Sequence, residues 1–125
     1  MNAISWFEIP AIDIDRAQNF YETIFGISMV NLDSQNLSMR AFPVKEMMKN
    51  ISGALVHNKD SYTPSANLGT LVYLNANPDL QNILNKIEPA GGKIFIPKTK
   101  INDEFGHMAI FKDSEGNRVG LHSFL

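Results

Sequence analysis

A carboxylate near the amino end and an imidazole near the carboxyl end are the side chains best suited to chemistry. Glu8 lies in the first apolar run of the chain, and His122 lies in the last. A carboxylate beside an imidazole raises the pKa of the ring, so the two can act as an acid–base pair. The same two side chains can also ligate a divalent metal. The competing interpretation is a polar pair that closes one end of the fold, or a histidine that faces solvent.

The composition excludes several other kinds of site. The 125 residues include no cysteine, which excludes disulfides, thiolate metal centres and a cysteine nucleophile. The net charge is −2 and no basic patch occurs, so we expect neither nucleic acid nor a membrane surface as a partner. The amino-terminal segment lacks a basic region followed by a long apolar run, and we expect a cytoplasmic protein.

Two helices must position these side chains. The first is predicted between the N-cap Asp13 and the terminating Gly26, because apolar residues recur there at helical spacing: Ala17, Phe20, Tyr21, Ile24 and Phe25. The second is predicted to start at Asn77-Pro78-Asp79, with Asn77 as N-cap, and its apolar positions are Leu80, Ile83, Leu84 and Ile87.

Eight short apolar segments are predicted strands: 3–9, 27–32, 37–42, 51–57, 70–75, 93–96, 106–111 and 118–123. The polar segment 58–67 has no apolar period and is the predicted linker. The order is βαβββ, linker, βαβββ, which indicates an internal structural repeat. We therefore expect one α+β domain over 1–125, with module one at 1–57 and module two at 68–125.

Three stretches carry a family resemblance. They are 7–17 with Phe20-Tyr21 and Phe25-Gly26, then 69–74 with 90–93 and Pro97-Lys98, and finally 106–113 with 115–117 and 120–123. In order and spacing they resemble the vicinal oxygen chelate superfamily, which includes glyoxalase I, bleomycin-resistance proteins and extradiol dioxygenases. The chain is similar to small bacterial members without an assigned reaction. The resemblance implies two βαβββ modules that form an open, barrel-like sheet around a cavity, and it implies a homodimer.

The metalloenzymes of that superfamily hold a divalent ion at four strand positions. Matching the stretches puts three of them at Trp6, Leu71 and Gly120, none of which ligates a metal. The fourth falls within 55–57, where only His57 binds metals. We therefore expect no metal at the usual positions and no cofactor. A divalent metal at a shifted site of Glu8, His57 and His122 is the less favoured alternative.

Strand alternation extends the list of cavity residues. Glu8 and His122 lie two residues from Trp6 and Gly120, so we expect them on the same cavity face. Segment 99–105 is predicted to be a loop that covers the cavity mouth. The candidate ligand-binding residues offer aromatic, thioether or imidazole side chains: Trp6, Phe42, Met47, Tyr73, Phe105 and His107. Ordinary packing, which would also include Met48, and a surface His107 without a role are the competing interpretations.

Two further groups are predicted to be structural. Asp13 and Arg16 are assigned to helix capping and to an ion pair at the surface or at an interface. The segment 113–117 is assigned to a hairpin turn, because Gly116 and Asn117 suit positive φ.

Three hypotheses about function follow. The favoured one is a metal-independent protein that binds a small, partly apolar or aromatic molecule, because three usual ligand positions are lost. The second is a lyase, isomerase or dioxygenase-type enzyme that uses Glu8 and His122. The third is a dimeric module whose cavity is filled by its own side chains. Contact between Glu8 and His122, and pairing of the modules within or across subunits, both stay open.

Overall fold

A computed structural model describes residues 2–47 and 49–125. The elements in chain order are β1 (Trp6–Pro10), α1 (Ile14–Phe25), β2 (Val30–Asn31), β3 (Ser38–Ala41), β4 (Ser52–His57), β5 (Tyr73–Asn75), α2 (Gln81–Ile87), β6 (Lys93–Asn102), β7 (Gly106–Lys112) and β8 (Arg118–Ser123). This order confirms the prediction of two βαβββ modules.

Each module forms its own four-stranded mixed sheet. The strand orders are β1-β4-β3-β2 and β5-β8-β7-β6. In both sheets the first strand of the module runs parallel to the last, and the remaining pairs are antiparallel. Within the described residues no ladder joins the two sheets into a closed barrel. The protein is thus an α+β fold with an open, barrel-like arrangement, as the sequence predicts.

Local signals place the first helix where the sequence predicts it. Oδ1 of Asp13 accepts a hydrogen bond of 3.1 Å from the backbone N–H of Arg16, which caps the first turn. Gly26 ends the helix at a φ of 65°, a left-handed conformation that a residue without a Cβ adopts readily. The face between these two residues packs into the core through Ala17, Phe20, Tyr21 and Ile24.

One apolar core joins the two modules. Side chains of both helices and of both sheets meet in it, including Ile9, Phe20, Leu84, Phe111 and Leu121. We call the sheet surface covered by this core the helix face. Because strand side chains alternate, Glu8 and His122 lie on the opposite surface, which we call the open face.

The turn between β7 and β8 is a buried junction as well as a hairpin turn. Nε of Arg16 donates to Glu115 at 2.7 Å, and Nδ2 of Asn117 donates to the carbonyl of Pro10 at 2.7 Å. The side chain of Glu115 is only 1% exposed. The predicted ion pair of Arg16 therefore joins module one to module two within one chain.

Several predicted boundaries are wrong: the strands predicted at 27–32 and 70–75 are limited to Val30–Asn31 and Tyr73–Asn75. Two further differences bear on the site. Segment 99–105 was expected to be a loop, but β6 continues to Asn102, because Thr99 pairs with Met108 and Lys100 with His107. The second helix was expected to start at Asn77, but α2 begins at Gln81. Oδ1 of Asn77 accepts from the backbone N–H of Phe124 at 2.9 Å, so this side chain ties down the last residues instead of capping a helix.

Among the described residues, no helix is both long and apolar enough to cross a membrane.

Candidate ligand-binding site

The open face of module two carries a cleft of about 650 Å³. Its walls are apolar for the most part, with a few hydrogen-bonding groups among them. A tyrosine hydroxyl, two carboxamides and an imidazole supply those groups. The lining residues include Tyr73, Asn75, Asn77, Met108, His122 and Phe124. A concave, largely apolar site with a few polar groups is the usual form of a small-molecule site.

The hydrogen bond of His122 fixes its tautomer. Nε2 lies 2.6 Å from the carbonyl oxygen of Phe105. A carbonyl oxygen only accepts, so Nε2 carries a proton, and in the neutral ring Nδ1 is the acceptor. The ring of Phe124 packs edge-on against the imidazole, with centroids 4.9 Å apart. The turn before β7 thus orients the imidazole through the backbone of Phe105, whose own side chain is exposed.

The ring of Tyr73 covers Gly120, the position where the resemblance places the last metal ligand. Tyr73 and Gly120 are direct neighbours in the parallel ladder of β5 and β8. A Cβ added to Gly120 would lie 2.5 Å from the ring of Tyr73. Gly120 is therefore covered by the tyrosine ring, which forms part of the floor of the cleft.

Glu8 has two hydrogen-bond donors on the open face of module one. Nε1 of Trp6 donates to Oε2 of Glu8 at 3.2 Å, and the hydroxyl of Tyr62 donates to Oε1. The hydrogen bond to Glu8 is the main reason why the pKa of Tyr62 is raised, with a smaller contribution from burial. Sequence reasoning missed Tyr62, whose signal was an aromatic residue within an otherwise polar linker.

The rest of this open face is filled by the chain's own side chains. Ala41, Ala54 and Val56 are buried there, beneath a layer formed by Trp6, Leu37, Met39, Met47 and Tyr62. Trp6 and Met47, which were predicted to contact ligand, pack in this cluster and not around the cleft of module two. Met48 lies outside the described residues.

Phe42 and His107, two other predicted ligand contacts, also lie away from the cleft. Phe42 packs into the core between modules, with ring centroids 5.6 Å from Phe7 and 5.5 Å from Tyr21. His107 lies on β7 with its Nδ1 buried and, within the described part of the chain, without a hydrogen-bond partner. Of the predicted ligand contacts, Tyr73 lines the cleft, together with the proposed catalytic His122.

The three residues of the shifted metal site have separate partners. Glu8 is bonded to Trp6 and Tyr62, and Nδ1 of His57 lies 2.9 Å from the carbonyl of Ala11. His122 is bonded to the carbonyl of Phe105. Within 2–47 and 49–125, no group of three or more His, Asp or Glu side chains is arranged to hold a metal.

The positions that the resemblance assigns to the metal also do not suit it. Trp6 donates its indole N–H to Glu8, and Leu71 offers no donor atom. Gly120 lies beneath the ring of Tyr73. These residues do not fit a divalent ion.

The sequence of the chain matches one family throughout. Residues 3–121 match the sequence model of the Glyoxalase/Bleomycin resistance protein/Dioxygenase superfamily. Fold, module order and sequence therefore agree, and the chain belongs to this superfamily. No curated protein sequence matches it.

Solved structures show the same fold at low identity. A glyoxylase/bleomycin resistance protein/dioxygenase domain from Frankia sp. is 16% identical, with 98% of each chain covered and a TM-score of 0.72. An antibiotic-binding protein from Streptomyces sp. is 18% identical, with 98% of this chain and 96% of that chain covered and a TM-score of 0.62. Glyoxalase I from Zea mays is 18% identical with a TM-score of 0.69, and the match covers 95% of this chain but 43% of the maize enzyme.

Proposed function

We propose that the protein binds a small, partly apolar molecule in the cleft of module two, without the metal site of the superfamily's enzymes. The observation that carries this proposal is the cleft of about 650 Å³, which combines apolar walls with the imidazole of His122 and the hydroxyl of Tyr73. A volume of this size suits a drug-sized molecule.

The lining sets the chemistry of the ligand. Met108 and Phe124 offer a soft thioether and an aromatic face, which suit an aromatic or aliphatic skeleton. Nε2 of His122 donates to the carbonyl oxygen of Phe105, so Nδ1 is the ring nitrogen left to contact a ligand. The carboxamides of Asn75 and Asn77 add polar contacts at the rim. We expect a ring or short chain that carries one or two hydrogen-bonding groups.

The fold comparison agrees with a binding role. The Streptomyces relative is described as an antibiotic-binding protein, and it shares the fold over almost the whole length of both chains. The lost ligand positions Trp6, Leu71 and Gly120 favour binding without a metal. Elemental analysis of the purified protein tests this point, and a stoichiometric transition metal would contradict the proposal.

Amide chemical-shift mapping with phenol, benzamide and indole as probes tests the cleft itself. We expect shifts at Tyr73, Met108 and His122, with little change at Tyr62. His122→Ala should weaken binding of phenol at least about fivefold, because one hydrogen bond to the ligand is lost. His57→Ala is the matched control, since His57 bonds Ala11 outside the cleft. Failure of all three probes to shift the cleft amides would overturn the proposal.

The enzyme alternative depends on Glu8 and His122. The structure gives these residues separate hydrogen-bond partners, so a lyase, isomerase or dioxygenase-type activity through a direct pair stays a prediction. Glu8→Gln and His122→Gln test it together. If an activity were found and both variants reduced kcat, the alternative would replace the binding role.

We also propose that the protein is a homodimer, as the family resemblance implies. Large apolar side chains are exposed at this end of the molecule: Ile101 and Phe124 line the cleft, and Phe105 is exposed outside its lining. A second copy of the chain would cover such a patch. Sedimentation velocity should show a dimer that Phe124→Asp weakens, and a monomer at all concentrations would contradict this proposal.

A further inference from the structure

A second groove lies next to the cleft, between the two modules. Its volume is about 320 Å³. The end of α1, the segment after β3 and the start of β4 supply most of its walls. The residues that carry the argument are Phe7, Phe25, Ile27, Phe42, Val44 and Ile51.

The groove and the cleft share one wall. Leu74 and Asn75 line both of them. These two residues form the carboxyl end of β5, the edge strand of its sheet. Consecutive strand residues point to opposite sides, so Leu74 faces the groove side and Asn75 the cleft side. The two spaces therefore adjoin at the edge of β5, where a molecule extending from the cleft would meet the groove.

The chemistry of the two spaces differs. Among the described residues that line the groove, none is charged. Ser52, on β4, contributes a hydroxyl to the groove. That hydroxyl already donates a hydrogen bond of 2.7 Å to the carbonyl of Phe42. The groove thus offers mainly hydrocarbon and aromatic surface, and its other polar side chain is Asn75, which it shares with the cleft and whose Oδ1 already accepts from Asn77. The cleft adds an imidazole, a phenol and a second carboxamide.

We infer that the ligand is an elongated amphiphile, with a polar or aromatic head in the cleft and a hydrocarbon tail in the groove. This inference rests on the proposed binding function and adds the class of ligand. The rings of Phe7, Phe25 and Phe42 form a preorganised aromatic wall. The centroid of the Phe42 ring lies 5.6 Å from that of Phe7 and 6.5 Å from that of Phe25. A tail that enters this space displaces water from apolar surface on both sides.

A series of 4-n-alkylphenols tests the inference by titration calorimetry. Phenol probes the head site alone, and propyl, pentyl and heptyl chains extend toward the groove. We expect the affinity to rise by up to about threefold to fourfold for each methylene that becomes buried. The pentyl and heptyl compounds should also shift the methyl resonances of Ile27 and Ile51, which phenol leaves unchanged.

Two variants separate the groove from the cleft. Ile51→Trp places a larger side chain in the groove. The fold should tolerate this substitution, because the Ile51 side chain is 42% exposed. Ile12→Trp is the matched control, because Ile12 is exposed and does not line the groove. We expect Ile51→Trp to abolish the gain from the alkyl chain and to keep phenol binding, and we expect Ile12→Trp to keep both.

The outcomes distinguish this inference from the function on which it rests. Affinity that is independent of chain length, or an equal gain in Ile51→Trp and wild type, would overturn the elongated ligand and leave the cleft site standing. Absence of phenol binding to the cleft would overturn the proposed function itself.

Discussion

The hydroxyl of Tyr21 in the first helix donates a hydrogen bond of 2.8 Å to Oδ2 of Asp113 in the last hairpin. Both side chains are buried. Asp113 also accepts from the backbone N–H groups of Glu115 and Asn117, at 2.9 and 2.8 Å. Burial raises the pKa of the Asp113 carboxyl although these hydrogen bonds oppose the shift. The bond from Tyr21 therefore satisfies a buried polar group and holds the modules together.

Tyr21→Phe should reduce the free energy of unfolding by about 1–3 kcal/mol, because Asp113 keeps its burial and loses a donor. Urea denaturation measures the difference. Tyr73→Phe is the matched control, since Tyr73 is half exposed, and its effect should stay within about 0.5 kcal/mol. Equal effects of the two substitutions would show that the Tyr21 bond has no special role.

Glu115→Gln should change how stability depends on pH. Burial acts to raise the pKa of Glu115, but hydrogen bonds from Arg16, from the N–H of Asp13 and from Ser114 outweigh it and leave the pKa below its ordinary value. A depressed pKa in the folded state means that the ionised carboxylate stabilises the protein above its unfolded pKa of about 4.5. This contribution is lost as the pH falls through the folded pKa.

Glu115→Gln should therefore lower the free energy of unfolding by about 2 kcal/mol at pH 7. The difference between variant and wild type should become smaller below pH of about 4. Urea midpoints at pH 7 and at several pH values below about 4 measure this difference in stability. Glu104→Gln, at an exposed position, controls for the loss of one negative charge. A gap that stays constant with pH would contradict the role assigned to the Arg16–Glu115 pair.

Short-range signals made much of the fold predictable. Asp13 and Gly26 bracket the first helix, and its apolar period lies entirely between them. The partner of Arg16 could not be predicted in the same way, because Glu115 lies 99 residues further along the chain. Tyr62 was missed for a similar reason: the surrounding polar residues indicate a linker, and only the folded chain brings its hydroxyl to Glu8.

Gly120→Ala should destabilise the protein by about 1–3 kcal/mol, because the new Cβ would lie 2.5 Å from the ring of Tyr73. Tyr73→Ala removes that ring. In the double variant, the penalty of the methyl group added at position 120 should largely vanish, which a double-mutant cycle of unfolding free energies detects. Additive effects would show that the ring does not rest on Gly120.

Tyr62→Ala should shift the fluorescence emission of Trp6 to longer wavelength. Trp6 is the single tryptophan of the sequence and packs in the same cluster as Tyr62. Removal of the tyrosine side chain would admit water to the indole and should raise quenching by acrylamide. Tyr73→Ala, in the other module, is the control and should leave the emission unchanged. An unaltered spectrum in Tyr62→Ala would contradict the role of Tyr62 in shielding the indole within this cluster.

The contact between Tyr73 and Gly120 also sets a steric condition on any metal ligand that is introduced at position 120. A ligating side chain at position 120 meets the tyrosine ring, so that substitution alone carries a steric penalty. A smaller residue at position 73 would relieve that penalty, but it would also remove the aromatic ring that forms part of the floor of the cleft.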